Sequence, residues 1–544
     1  MPDRTLPDHP SLEQYKKQAK ELVRAIAHHD ADALARLRKH HPRLKSLPES
    51  DLQTIALADA QLVLAREHGY DSWPQLAHHI ETLNILRALE DPASIATLPD
   101  PVAAFLECAS VERHGWHVSG TVDHADLILK RFLHLVPHNI YVSAVLGDHV
   151  ATRDLLARDP TLATAPGGPY NWDPLTYLCF SRYLRIDKTR SAHFVRTACL
   201  LLEAGASANA CWYDTIDDPP RQVPEAAIYG AAGLAQNPGL TQLLLDHGAD
   251  PNDEETPYHV PETYDNTVLR ILLDSGRFNE RSLATVLARK ADWHDDQGLS
   301  LVLVAGANPN FLTQWQYSPF QHAIRRDNGL VMIQLLLDYG ADPNIRNNYD
   351  HRNAFQMAAY YGRGDILAEL ERRGFTPIYD QPLDVLVAAC ARADLSHAQS
   401  IIAVTPELLQ QLLQLSGTLV VRFAGAGNLE GLRILLDLGV PVDALSEGDP
   451  YWELTRDSTA LHVAAWRARH DIVRELIARG ADVHATDARN RTPLQLAVRA
   501  CTHSYWKSRR QPDSVATLLL AGATKQSIQL PTGYDAIDAL LLSS

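Results

Sequence analysis

Nine times in the 544-residue chain an apolar helix end runs into a glycine, six times with alanine next, and the spacing of these glycines allows few architectures. Leu200-Leu201-Leu202-Glu203-Ala204-Gly205-Ala206 and Leu243-Leu244-Leu245-Asp246-His247-Gly248-Ala249-Asp250 are two instances. The others close at Gly276, Gly306, Gly340, Gly374, Gly439, Gly480 and Gly522. Successive gaps are 43, 28, 30, 34, 34, 65, 41 and 42 residues. A unit of roughly 33 residues accounts for them, with 65 as two units and the longer gaps as one unit plus an insertion. A unit this short cannot bury its apolar faces alone, so its stability must come from stacking on its neighbours.

A second motif recurs in phase with the first. Thr459-Ala460-Leu461-His462-Val463-Ala464-Ala465 is its fullest form. Ser318-Pro319-Phe320-Gln321-His322-Ala323, Asn353-Ala354-Phe355-Gln356-Met357-Ala358-Ala359 and Thr492-Pro493-Leu494-Gln495-Leu496-Ala497 follow it. Thr256-Pro257-Tyr258-His259 and Asp173-Pro174-Leu175-Thr176 are shorter matches. Ser, Thr or Asn caps a helix, Pro suits its first turn, and the Ala pair lets a second helix approach closely. The Leu run fills the seam to the next unit, and Gly ends that second helix in the left-handed region. The two motifs together resemble the ankyrin repeat. That resemblance implies an all-α solenoid of helix–turn–helix units with short finger hairpins between them.

Residues 11–86 read as a small helical module preceding the array. Leu12, Tyr15, Ala19, Leu22, Val23 and Ile26 form one apolar stripe, with Ser11 and Gln14 as a capping pair. Further helices are expected at 30–40, at 52–68 with Leu57, Ala60, Leu64 and Ala65 inward, and from Ser72 onward. Leu12-Glu13-Gln14-Tyr15-Lys16-Lys17-Gln18-Ala19-Lys20-Glu21-Leu22 and residues 65–74 resemble a module at the N-terminus of many bacterial ankyrin proteins. Residues 172–184, 254–266 and 289–295 resemble long bacterial ankyrin proteins of unassigned function. The expected layout is a helical module at 1–86, degenerate capping repeats at 87–170, an array at 171–532 and a capping helix at 533–544.

The totals narrow the partners. A net charge of -16 repels phosphate backbones and anionic bilayers, so neither nucleic acid nor membrane is the expected ligand. The six cysteines are scattered with no C-x-x-C pair, which fits reduced thiols better than a disulfide frame or a zinc site. Residues 1–10 lack a signal-peptide pattern, and no apolar run approaches the roughly 20 residues of a spanning helix. A monomeric cytoplasmic protein, with no cofactor, is the expectation.

Two sets of residues are candidates for function. His259, Glu262, Asp265, Asp292 and His294 lie on segments one repeat apart, so their imidazoles and carboxylates could meet as a metal or acid–base site. The competing structural reading places His259 at the motif position whose side chain bonds to backbone and fixes the turn. Trp212, Tyr213, Trp315, Tyr317, Tyr349, Tyr451 and Trp452 fall in fingers or their inserts. Exposed Trp and Tyr there would make binding hot spots; the alternative is that they fold back on their own repeats. Tyr505-Trp506-Lys507-Ser508-Arg509-Arg510 falls in a helix–helix loop. No Gly-x-Ser-x-Gly, Walker loop or Gly-x-Gly-x-x-Gly is present, so no activated nucleophile is legible. The expected function is a scaffold or adaptor that holds a protein partner in the ankyrin groove. The alternatives are an enzyme built on the His259/His294 cluster and a bacterial effector acting in another cell.

Overall fold

A computed structural model of the chain describes residues 11–41, 44, 55–70, 73, 76–77, 80, 98–113, 117, 120–216, 221–502, 509–525 and 528–542. The expected helix start at 72–75, the His78-His79 pair and residues 505–508 of the aromatic-basic loop lie outside, or mostly outside, the described residues. Helix makes up 61% and strand 4%, so the fold is all-α, built from ankyrin-type helix pairs. Two compact units divide the chain, Met1–Asp250 and Pro251–Ser544, and the boundary falls inside the expected array.

In the first unit, helices Leu12–Ala27, Ala31–His40 and Leu57–Glu67 enclose a core of Ala19, Leu22, Ile26, Leu34, Leu37, Val63 and Leu64. Asp30 caps the second helix, accepting from Ala33 N at 2.9 Å. Arg36 donates twice to the buried Glu67 carboxylate, at 2.6 and 2.9 Å, tying the second helix to the third. Leu57, expected inward, is exposed at the first turn of its helix. Within the stretch expected to hold degenerate repeats, Pro101–Ala109 packs against Asp123–Arg131 and Ile140–Leu146 against His149–Arg158. Pro174–Cys179 begins at an Asp173 cap, as the weak motif predicts. After Ser191–Glu203 the 43-residue gap is explained by a hairpin, Cys211–Ile216 paired with Arg221–Ala226 in antiparallel register.

In the second unit, eight helix pairs follow in order. Consecutive first helices pack on one another except between Pro382–Ala391 and Ser416–Ala426, and so do several second helices. The capping chemistry is explicit at Ser318. Ser318 N donates to Gln321 Oε1 at 3.1 Å, and Gln321 N donates back to Ser318 Oγ at 3.2 Å. Gln321 Nε2 also reaches the next finger, donating to Ile345 O at 2.7 Å. Gln356 repeats this box with Asn353. His462 occupies the same position: its Nδ1 accepts from Thr459 N at 3.2 Å and its Nε2 sits 2.9 Å from Arg491 O. The 65-residue gap contains two pairs, as the period predicts. The first of them ends at Thr405-Pro406 and a helix Glu407–Gln414 instead of at a glycine.

The loop inside six of these pairs also repeats. His294, Asp327, Gly362, Ala393, Gly427 and Ala468 all adopt positive φ, from 51° to 79°. The next N–H of each loop returns to a carbonyl of its first helix, as in Asp295 N to Lys290 O at 3.1 Å and Arg469 N to Ala464 O at 2.9 Å. Four of these six positions are not glycine, which places carbon side chains where backbone strain is expected. The row of loops is therefore held in one fixed conformation.

Candidate functional site

The aromatic candidates divide by burial. Trp212, Tyr317 and Trp452 are 4%, 4% and 2% exposed, so they are packing residues and not finger tips. Trp212 lies in the hairpin of the first unit with its ring 5.2 Å from Trp172 and 5.8 Å from Phe180. Trp452 packs with Leu454, Val463, Trp466 and Leu496, and its carbonyl accepts from Trp466 Nε1 at 2.6 Å. The insert at 445–457 folds inward because apolar Trp452 gains more from this core than a finger tip would gain in water. Tyr451 is half-buried beneath the Arg326 guanidinium, which lies 3.2 Å from its ring centre. Trp315 is also half-buried, 5.5 Å from the His322 ring. Tyr213 in the first unit and Tyr349 in the second are exposed, at 54% and 72%.

The polar candidates do not form one site. His259 does not occupy the motif position, because its helix already starts at Glu255 and the motif Thr256 lies inside it. Its Nε2 lies 3.1 Å from Glu255 and its Nδ1 3.0 Å from Glu262. Burial alone would lower this imidazole, but the hydrogen bonds to Glu255 and Glu262 outweigh it and push it up to about 9. Arg289 joins Glu262 to Asp292. Asp292 also meets His322 at 2.8 Å and Arg326 Nε at 2.7 Å. Burial would raise the Asp292 carboxyl, and His322, Arg326 and Arg289 hold it below the usual range instead. A carboxylate so saturated with cationic donors is a structural anchor, not a base. Asp265 caps its own turn through Thr267, out in solvent. His294 lies apart, on the wall of a cleft.

That cleft, of about 740 Å³, was not legible in the sequence. It opens among the repeated helix–helix loops of the second unit. His294, Asp327, Arg363, Arg392, Asn428, Arg469 and Arg509 come from successive loops and line it together. Arg469 Nη2 donates to Asp327 Oδ2 at 2.7 Å. Arg363 and Arg467 approach the same carboxylate at 3.6 Å, and Arg509 at 3.9 Å. Arg363 is otherwise held by Asp365 in a two-bond fork of 2.8 and 2.7 Å. A smaller pocket of about 180 Å³ adjoins it, sharing Asp327, Arg363 and Ala426 and adding Arg467 and Arg422. Burial pulls Arg509 down to about 10, helped by the nearby Arg469 and Arg467 charges. Burial also lowers His294, with Asp327 opposing and Arg509 adding to the shift. The one signal available beforehand is that Arg363 and Arg469 stand at helix N-cap positions, where Asp, Asn or Ser would serve the backbone better.

The first unit holds one set with metal-binding chemistry among the described residues. His117, Asp214 and Glu225 place one ligand atom each within 4.8 Å of one another. An imidazole with two carboxylates suits a divalent cation. None of the three was singled out from sequence, because they sit on segments with no shared motif.

Residues 320–368 and 445–497 each match a family model described as ankyrin repeats (many copies). The two matched segments include Gln321, Gln356 and His462, the side chains that fix the capping boxes. Among the described residues, no helix is long and apolar enough to cross a membrane.

Proposed function

We propose that the chain is a protein–protein interaction scaffold, and that its partner docks along the finger edge of the second unit. Ankyrin repeats generally mediate protein–protein interaction, which supports the class of function. The observation that carries the surface is a set of exposed apolar side chains: Tyr349 and Ile378 on successive fingers, and Leu445 two junctions further on, beyond helix Glu407–Gln414. The first two of these fingers are rigid. Asn348 N donates to Gln316 O at 2.9 Å, Asn353 Nδ2 donates to Ile378 O at 2.9 Å, and Arg346 grips Asp380 with two bonds of 2.7 Å. Apolar groups held rigidly in water lose little entropy on binding, and that is how hot spots work. The scaffold reading is preferred to the enzyme reading because His259 is held between Glu255 and Glu262 while His294 lines the cleft of the helix–helix loops.

The test is capture of a partner by the tagged chain, repeated with a Tyr349→Asp/Ile378→Asp variant that keeps its melting temperature. Loss of the same partner from the variant supports the proposal. Undiminished capture moves the docking surface elsewhere.

A further inference from the structure

Four guanidinium groups converging on one carboxylate is an unusual arrangement in a chain of net charge -16. Asp327 is nearly buried, and it alone answers Arg467 and Arg469 among the ion pairs of those two side chains. Arg467 reaches Asp327 from the smaller adjoining pocket, and its Nε has no hydrogen-bond partner among the described residues. Positive charge thus exceeds negative charge around Asp327, in a place where water reaches the arginines poorly. Arg392 also stands on the cleft wall, already paired with Glu371, and Asp365 is consumed by Arg363.

The backbone reinforces this. Gly329 and Leu330 line the cleft at the start of helix Leu330–Asp338. That helix has no side-chain cap; Met332 N is taken by Gly329 O at 3.1 Å, which leaves the Leu330 and Val331 N–H groups and the positive end of the dipole to an anion. Planar guanidinium forks and helix N-termini both favour tetrahedral oxyanions with several oxygens. The volume of about 740 Å³ lies within the range of small-molecule sites.

We propose that this cleft is a binding site for a phosphate-bearing small molecule, whose phosphate oxygens are taken by Arg469 and its neighbouring arginines in competition with Asp327. In the empty site Asp327 acts as the resident counter-ion. A doubly charged phosphate group satisfies more of the donors than one carboxylate can. The site is independent of the finger edge, and it links ligand binding to the loops of the repeats that build the cleft. Occupancy would stabilise the unit by mass action.

The experiment uses the full chain and inorganic pyrophosphate as probe, with inorganic phosphate as a weaker comparison and sodium chloride at matched ionic strength as control. Thermal unfolding and calorimetry are both recorded. Pyrophosphate should raise the melting temperature saturably, with a dissociation constant below about 1 mM, where chloride does not. Two variants separate binding from structure. Asp327→Asn removes the competing carboxylate and should bind pyrophosphate several-fold more tightly, although the unliganded protein melts earlier. Gly329→Asp places a carboxylate at an ordinary φ with open space around it, where it caps the helix. It should leave stability unchanged or improved and weaken pyrophosphate at least tenfold. No saturable response in the wild type overturns the proposal. So does equal affinity in all three proteins, which would make the arginines a structural hub only.

Discussion

Asp327 and Arg469 meet at 2.7 Å although 142 residues separate them in the chain. The contact joins loops four repeats apart. Stacking of neighbours alone would not demand it, so the second unit is curled tightly enough for its loop row to close on itself. The ion pair fastens that curl. Replacing Asp327 with Ala leaves a cluster of buried arginines facing one another, and the expected cost is about 3 kcal/mol or more. Denaturant unfolding of the variant measures it; a change below about 1 kcal/mol would make the contact incidental.

The inserts behave unlike fingers. Trp452→Ala should destabilise by about 3–5 kcal/mol, because the indole is removed from a closed cluster with Trp466 and Leu496. Tyr349→Ala should stay within about 0.5 kcal/mol of wild type, since its ring stands in water. Chemical denaturation of the two variants side by side reads the contrast, and equal losses would contradict the burial pattern.

Much of this was legible from sequence, and the remainder has an identifiable cause. The glycine period located the helix pairs, and the motif marked Ser318 and Asn353 as helix caps, while the returning bonds from Gln321 and Gln356 appear only in the structure. The doubled gap was resolved correctly although Thr405-Pro406 replaces the terminal glycine. The Trp452 insert was misplaced because its burial depends on helices Ala460–Trp466 and Pro493–Thr502, and inserts carry no period of their own. His259 was misassigned because its helix begins at Glu255, one residue before the motif Thr256, whose N–H is taken by Asp253. The Asp327 cleft depends on curvature, which no local pattern encodes.

His259 makes stability depend on pH in a defined direction. Its folded pKa, about 9, exceeds the ordinary 6.5, so the folded state holds the proton more tightly than the unfolded chain. Its contribution is complete below about pH 6.5 and fades as pH rises through about 9. The melting-temperature difference between wild type and His259→Gln should therefore shrink across that interval. A difference that is flat from pH 6 to 10 would show that Glu255 and Glu262 do not hold the proton there.

Lys290 is fully buried, and its Nζ donates to Asp295 at 2.8 Å and to Thr263 O at 2.7 Å. Asp295 also caps the following helix through Gly298 N, at 2.8 Å. Asp295→Ala strands a buried ammonium and loses the cap, so it should cost about 3–5 kcal/mol. Lys290→Met keeps the cap and fills the space, so it should cost less. Equilibrium unfolding decides the order of the two, and the reverse order would contradict the buried pairing.

The central claim is that the finger edge of the second unit receives the partner. Hydrogen–deuterium exchange of the full chain, with and without the captured partner, tests it most directly. The account predicts new protection concentrated at 344–351 and 376–381, around Tyr349 and Ile378. Protection confined to the helices at 12–67, with none on these fingers, would contradict it.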